Sequence, residues 1–80
     1  MEGDSMRQKF SGARLRKARL AAGMSQRDLA ILLDCSEMTI SKYEAGRYAP
    51  LMERTMRMAS VLDVPIEALC SRGDYDGGEG

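Results

Sequence analysis

Within residues 25–46, SQRDLAILLDCSEMTISKYEAG, apolar positions recur at helical spacing in two separate runs. Leu29, Ala30, Leu32 and Leu33 make the first, and Ile40 with Tyr43 and Glu44 the second. Ser25 and Ser36 stand directly before these runs, where a side-chain oxygen can accept from the exposed N–H groups of a first helical turn. Asp34 and Cys35 leave room only for a sharp corner. Gly46 ends the second run, where a left-handed residue costs least. The pattern predicts helices over residues 26–33 and 37–45.

The flanks add three more. A helix is expected over residues 12–22, capped by Ser11 and stopped by Gly23, with Leu15, Ala18, Ala22 and Arg19 inward and Arg14, Arg16 and Lys17 in solvent. Pro50 marks the start of a helix reaching Leu62, with Leu51, Thr55, Met58, Ala59 and Leu62 as its inward stripe. Met52 and Met56 fall at the margin of that stripe and read as core filler. Asp63, Val64 and Pro65 turn the chain into a last helix over residues 66–71, where Ile66 and Leu69 close the bundle. The expected fold is all-α, a compact five-helix bundle over residues 10–71. Residues 1–9 read as a frayed arm and residues 72–80, RGDYDGGEG, as a disordered acidic tail.

Two capped helices around a tight corner form a helix-turn-helix. Arg19, Gly23, Met24, Ser25, Gln26, Leu29, Ala30, Cys35, Ser36, Ile40, Ser41, Lys42, Glu44, Gly46, Pro50, Ala59, Leu62, Val64 and Leu69 carry a resemblance that covers roughly residues 12–70. On these residues the chain resembles the lambda-repressor-like, Xre-type helix-turn-helix proteins of bacteria and phages. The resemblance implies that Arg19 pairs with Glu44, tying the first helix to the third while still offering N–H groups to a phosphate. It also implies that Gln26 meets a DNA phosphate at a helix N-terminus and that Arg47 lies near the backbone. The chain departs from the family at Asp34, where glycine is common, and at Ala45, where asparagine often supplies a backbone contact. Asp tolerates the left-handed region better than most residues, so the turn is expected to survive.

Steps of 100° per residue place Met38, Ser41, Lys42 and Ala45 opposite the inward face of the third helix, with Glu37 at its N-terminal edge. Lys42 can donate to guanine, Glu37 can accept from cytosine N4, and Met38 can pack on a thymine methyl. Glu37, Met38, Ser41 and Lys42 are the candidate base contacts. Arg19, Ser25, Gln26, Ser36, Arg47 and Tyr48 are the candidate phosphate contacts, the last through its hydroxyl. Glu37 also brings an anion towards phosphates, so it can act by excluding wrong sites.

Composition changes this picture little. Hydrophobic residues make up 44% and charged residues 30% of the chain, ordinary values for a folded protein. The net charge is zero, yet residues 7–27 carry seven bases and no acid, and residues 73–80 carry Asp74, Asp76 and Glu79 with no base. Residues 10–72 hold ten Lys and Arg against seven Asp and Glu, a mildly basic domain. Cys35 and Cys70 form no C-x-x-C pair and the chain has no histidine, so neither a metal site nor a cofactor is expected. Cys35 reads as turn packing. Without histidine, scattered serines offer no nucleophile and base, which argues against an enzyme and against a small-molecule substrate. No apolar run is long enough to cross a bilayer and the first residues show no signal-peptide core, so a cytoplasmic protein is expected.

The resemblance implies a transcriptional regulator, acting as a repressor, that binds the major groove of double-stranded DNA as a homodimer on a two-fold related operator. The alternative is a protein-binding module on the same fold, an antitoxin or a regulator that docks on a partner.

Overall fold

The structure, a computed structural model, describes residues 8–72. A short strand β1 (Gln8–Phe10) leads into four helices, α1 (Gly12–Ala21), α2 (Gln26–Leu33), α3 (Glu37–Glu44) and α4 (Met52–Leu62). A single 3-10 turn (Ile66–Leu69) and a strand β2 (Cys70–Arg72) follow. The strands pair antiparallel, Gln8 with Arg72, Lys9 with Ser71 and Phe10 with Cys70.

The five-helix expectation therefore needs correction to four α-helices, one 3-10 turn and a two-stranded sheet. Pro65 is extended (φ −72°, ψ 154°) and Cys70 is extended again (φ −126°, ψ 158°), which leaves four residues for the last turn. The backbone of Cys70–Arg72 finds its hydrogen-bond partners in β1 instead of continuing a helix. Gln8 and Lys9, expected in a frayed arm, and Arg72, expected in the tail, are paired for the same reason. The remainder of the arm, including Arg7, and residues 73–80 lie outside the described residues.

One core joins all the helices. Leu15 of α1, Leu29 of α2, Ile40 of α3, Met58 of α4 and Leu69 of the 3-10 turn are fully buried, with Ala30, Leu33, Tyr43, Ala59 and Leu62 around them. Burying each large side chain is worth about 1.5–3 kcal/mol, and these few residues carry most of what holds so small a domain. Cys35 packs against the edge of this cluster.

The corners follow the sequence closely. Asp34 closes α2 in the left-handed region (φ 58°, ψ 48°), and Gly46 takes φ 77° after α3. At Gly12 the requirement is space: a Cβ there would run into the carbonyl oxygen of Tyr43 and lie 2.7 Å from that of Glu44. The start of α1 thus sits on the last turn of α3, close to where α3 presents its functional face.

Four assignments to the core fail. Ala22 is exposed as the cap residue beyond α1. Leu51 is 79% exposed because it is the extended residue before α4 (φ −67°, ψ 158°), outside the helical stripe, and the helix begins at Met52, not at Pro50. Met52 and Met56 are exposed as well, since Thr55, Met58, Ala59 and Leu62 alone fill the inward face. No helix among the described residues is long and apolar enough to cross a membrane.

Candidate nucleic-acid interface

The end of α1, the start of α2 and the end of α3 meet at one buried group. Arg19 donates from Nε to Glu44 Oε2 at 2.6 Å and from Nη2 to Glu44 Oε1 at 3.0 Å, and its Nη1 donates to the Met24 carbonyl at 2.8 Å. A planar fork facing a carboxylate gives two parallel charge-assisted bonds, which a lysine cannot make. The bond to Glu44 raises the Arg19 pKa further against the opposing effect of burial, so the guanidinium keeps its charge.

Arg19 is 6% exposed and three of its donors point inward. Three of its five N–H groups are held by Glu44 and Met24, so it braces α1, α2 and α3, and the phosphate contact expected of it would fall to the two that remain. Glu44 Oε1 also accepts from Gln26 Nε2 at 3.1 Å. The pairing of Arg19 with Glu44 was expected from the resemblance; the tie from Glu44 to Gln26 was not. It fixes one donor of the Gln26 amide and leaves the other N–H and the carbonyl of that amide available beyond the helix N-terminus.

Ser25 caps α2 in a reciprocal box. Its Oγ accepts from Asp28 N at 2.9 Å, and Asp28 Oδ2 accepts from Ser25 N at 3.0 Å. The Ser25 backbone N–H, and after it the Ser25 hydroxyl, hold the Asp28 carboxyl below its usual value. Asp28 was absent from the candidate set although Ser-x-x-Asp ahead of an apolar run is a capping-box spacing that would have found it. Ser36 caps α3 in the simpler way: Oγ accepts from Thr39 N at 3.1 Å and lies 2.9 Å from Thr39 Oγ1.

On the outer face, Glu37, Met38, Ser41 and Lys42 of α3 line one shallow open concavity together with Gln26 and Arg47. All four candidate base contacts are therefore brought together with two candidate phosphate contacts. Met38 is 62% exposed there, and the concavity carries Lys42 and Arg47 against Glu37, a net of one positive charge. Ser25, Ser36 and Tyr48 lie outside its lining, Ser25 and Ser36 at the helix caps and Tyr48 in the following loop. Lys42 Nζ stands 5.9 Å from the Tyr48 ring centroid, and that ring meets Tyr43 edge-on at 5.6 Å. This aromatic step holds the loop residue and the cation beside it in a fixed relation.

Comparison with known proteins agrees with this geometry. The family model described as a helix-turn-helix domain matches residues 12–70. The cryptic phage CTXphi transcriptional repressor RstR of Vibrio cholerae is 34% identical over 63 residues, which are 79% of this chain and 56% of RstR. The chain thus spans little more than half the length of that relative. The restriction-modification controller protein C.AhdI of Aeromonas hydrophila superposes with a TM-score of 0.68 at 31% identity, over 72% of this chain and 88% of C.AhdI. SinR, the master regulator for biofilm formation of Bacillus subtilis, determined in complex with DNA, superposes with a TM-score of 0.67 at 25% identity, over 72% of this chain and 94% of that one. With two serine-capped helices, the Arg19–Glu44 brace and a match over residues 12–70, the chain belongs to the lambda-repressor-like, Xre-type branch of the helix-turn-helix domain family.

Proposed function

We propose that this protein is a DNA-binding transcriptional regulator, acting as a repressor, with α3 in the major groove. One observation carries the reading: Gln26 and Arg47 border the same concavity as Glu37, Met38, Ser41 and Lys42. Positioning groups and reading groups must share one surface to engage one groove. An α-helix with its side chains is about 10–12 Å across, which matches a groove about 12 Å wide. Ser25, Gln26, Arg47 and Tyr48 position the domain on phosphates, with Ser36 at the cap of α3 beside them. RstR, a repressor by name, and SinR, solved on DNA, support the same role.

One eight-residue helix reads few base pairs, so the working form is a homodimer on half-sites about 34 Å apart. Leu51, Met52 and Met56, exposed around the start of α4 and following the loop that carries Arg47 and Tyr48, are the surface we assign to the second copy. Selection from random duplex DNA tests the whole reading. A two-fold related motif supports it; no enrichment at low salt sinks it and turns attention to a partner protein docking on Glu37 and Met38.

A further inference from the structure

The loop after α3 is tied to that helix by its own backbone. With Gly46 at φ 77°, Gly46 N donates to Tyr43 O at 3.1 Å and Arg47 N donates to Lys42 O at 3.0 Å. These are the two bonds that close a helix through a left-handed residue, and they return the chain over the turn it has just left. Tyr48, the next residue, thereby comes beside Lys42, whose Nζ lies 5.9 Å from the centre of the tyrosine ring. The ring is supported from behind. It meets the buried Tyr43 edge-on at 5.6 Å, and Tyr43 meets Phe10 of β1 edge-on at 6.1 Å. Among the described residues the only ion pair is that of Arg19 with Glu44, so no carboxylate there holds the Lys42 ammonium.

We propose that Tyr48 is a positioning residue for base recognition: its ring fixes where the Lys42 ammonium stands, and so sets the base that Lys42 selects. The proposal rests on α3 entering the major groove, and it gives Tyr48 a part separate from the phosphate contact of its hydroxyl. Lysine is a point charge on a flexible stem, and its rotamer freedom must be given up before it can donate to one base edge. A ring that attracts the cation removes some of that freedom before DNA arrives. Unlike a carboxylate, the ring does so without neutralising the charge that faces the groove. Tyr43 and Phe10 keep the ring in place, so the aromatic contacts run from β1 through the core to the one cation on the outer face of α3.

Two variants test this, because Tyr48→Phe keeps the ring and loses the hydroxyl while Tyr48→Leu loses both. In the protein without DNA, the Lys42 methylene protons next to Nζ should carry a ring-current NMR shift that persists in Tyr48→Phe and vanishes in Tyr48→Leu. In selection from random duplex DNA, Tyr48→Phe should weaken all sequences alike. Tyr48→Leu should relax the position that Lys42→Ala relaxes, by roughly two- to fivefold, the size of an exposed cation–π contact. It should add nothing at that position once Lys42 is alanine. Absence of the ring-current shift in the native chain would overturn the proposal whatever the protein binds. An unchanged base preference in Tyr48→Leu would overturn it and leave the regulator reading standing, and so would relaxation at every position together, which marks a general loosening of the loop. A native chain that shows the shift but enriches no motif would sink the regulator reading and the proposal with it.

Discussion

Arg19 and Glu44, 25 residues apart, share two hydrogen bonds, and the Glu44 oxygen that takes Arg19 Nη2 also takes the Gln26 amide. The brace of the core and the first residue of the candidate interface are therefore one network. Their side chains are 8% and 5% exposed, so neither charge can fall back on water if its partner is lost. Glu44→Ala should cost about 3–5 kcal/mol, the penalty for stranding a buried charge. The double variant Arg19→Met, Glu44→Leu should recover much of that loss, since an apolar pair needs no desolvation. Urea unfolding of the three proteins reads the difference. Equal losses in single and double variants would mean that the pair stabilises in its own right.

Gly12→Ala should destabilise although alanine is the better helix former. The added methyl meets the carbonyl oxygens of Tyr43 and Glu44, which belong to a helix backbone and cannot swing aside. A cost of about 1–3 kcal/mol is expected, as for other overpacked sites. Gly46→Ala meets nothing within 4 Å but must adopt φ 77°, so its cost is conformational, about 1–2 kcal/mol. Thermal unfolding should show both midpoints lowered. The two differ in function: Gly12→Ala, which pushes α1 off α3, should also weaken DNA binding beyond its effect on folding.

The Ser25–Asp28 box predicts the sign of a pH effect. The Asp28 carboxyl is held below its ordinary value of 3.8 by the bonds from Ser25. A depressed folded-state value contributes stability that is fully present above the unfolded value and is lost as pH falls through the folded one. Unfolding midpoints should therefore drop below about pH 4 more steeply in the native chain than in Asp28→Asn, which has no proton to take up. Parallel curves for the two proteins between pH 5 and pH 2 would refute this role for the box.

Much of the candidate interface is legible in the sequence because it is built from local rules. Ser25, Ser36 and Gly46 mark helix ends by their own chemistry, and helical spacing alone separates Ile40 and Tyr43 from Met38 and Ser41. What escaped depends on partners distant in sequence. Strands of three residues, Gln8–Phe10 and Cys70–Arg72, show no usable alternation, and their pairing across the whole chain leaves no local trace. Leu51 and Met52 look like core residues until the helix start is known, because one residue of shift turns a side chain by 100°. The Gln26–Glu44 bond likewise requires knowing that the start of α2 lies over the end of α3.

The exposed apolar positions Leu51, Met52 and Met56 should matter for association and not for folding. Met52→Asp with Met56→Asp should leave the unfolding midpoint nearly unchanged, within about 0.5 kcal/mol for substitutions of exposed side chains. The variant should sediment as a monomer at concentrations where the native chain is a dimer. A dimer that survives the double substitution would move the interface away from this end of α4.

Binding to a selected operator separates the two kinds of contact in the concavity. Lys42 is the only cation on the outer face of α3, so Lys42→Ala should relax preference at one position in each half-site and cost about 1–3 kcal/mol against the best site. Arg47→Ala should instead weaken all sequences alike, and the slope of log affinity against log salt should fall by about one per protomer, because one phosphate neutralisation is lost. Gln26→Ala carries no charge change, so it should lower affinity uniformly with the salt slope intact. Glu37→Gln gives the opposite sign to all three: removing an anion that faces phosphates should raise affinity for non-operator DNA and so narrow the ratio between specific and non-specific binding. If Glu37→Gln tightened operator and random DNA equally, Glu37 would have no part in choosing the site, and specificity would rest on Met38, Ser41 and Lys42 alone.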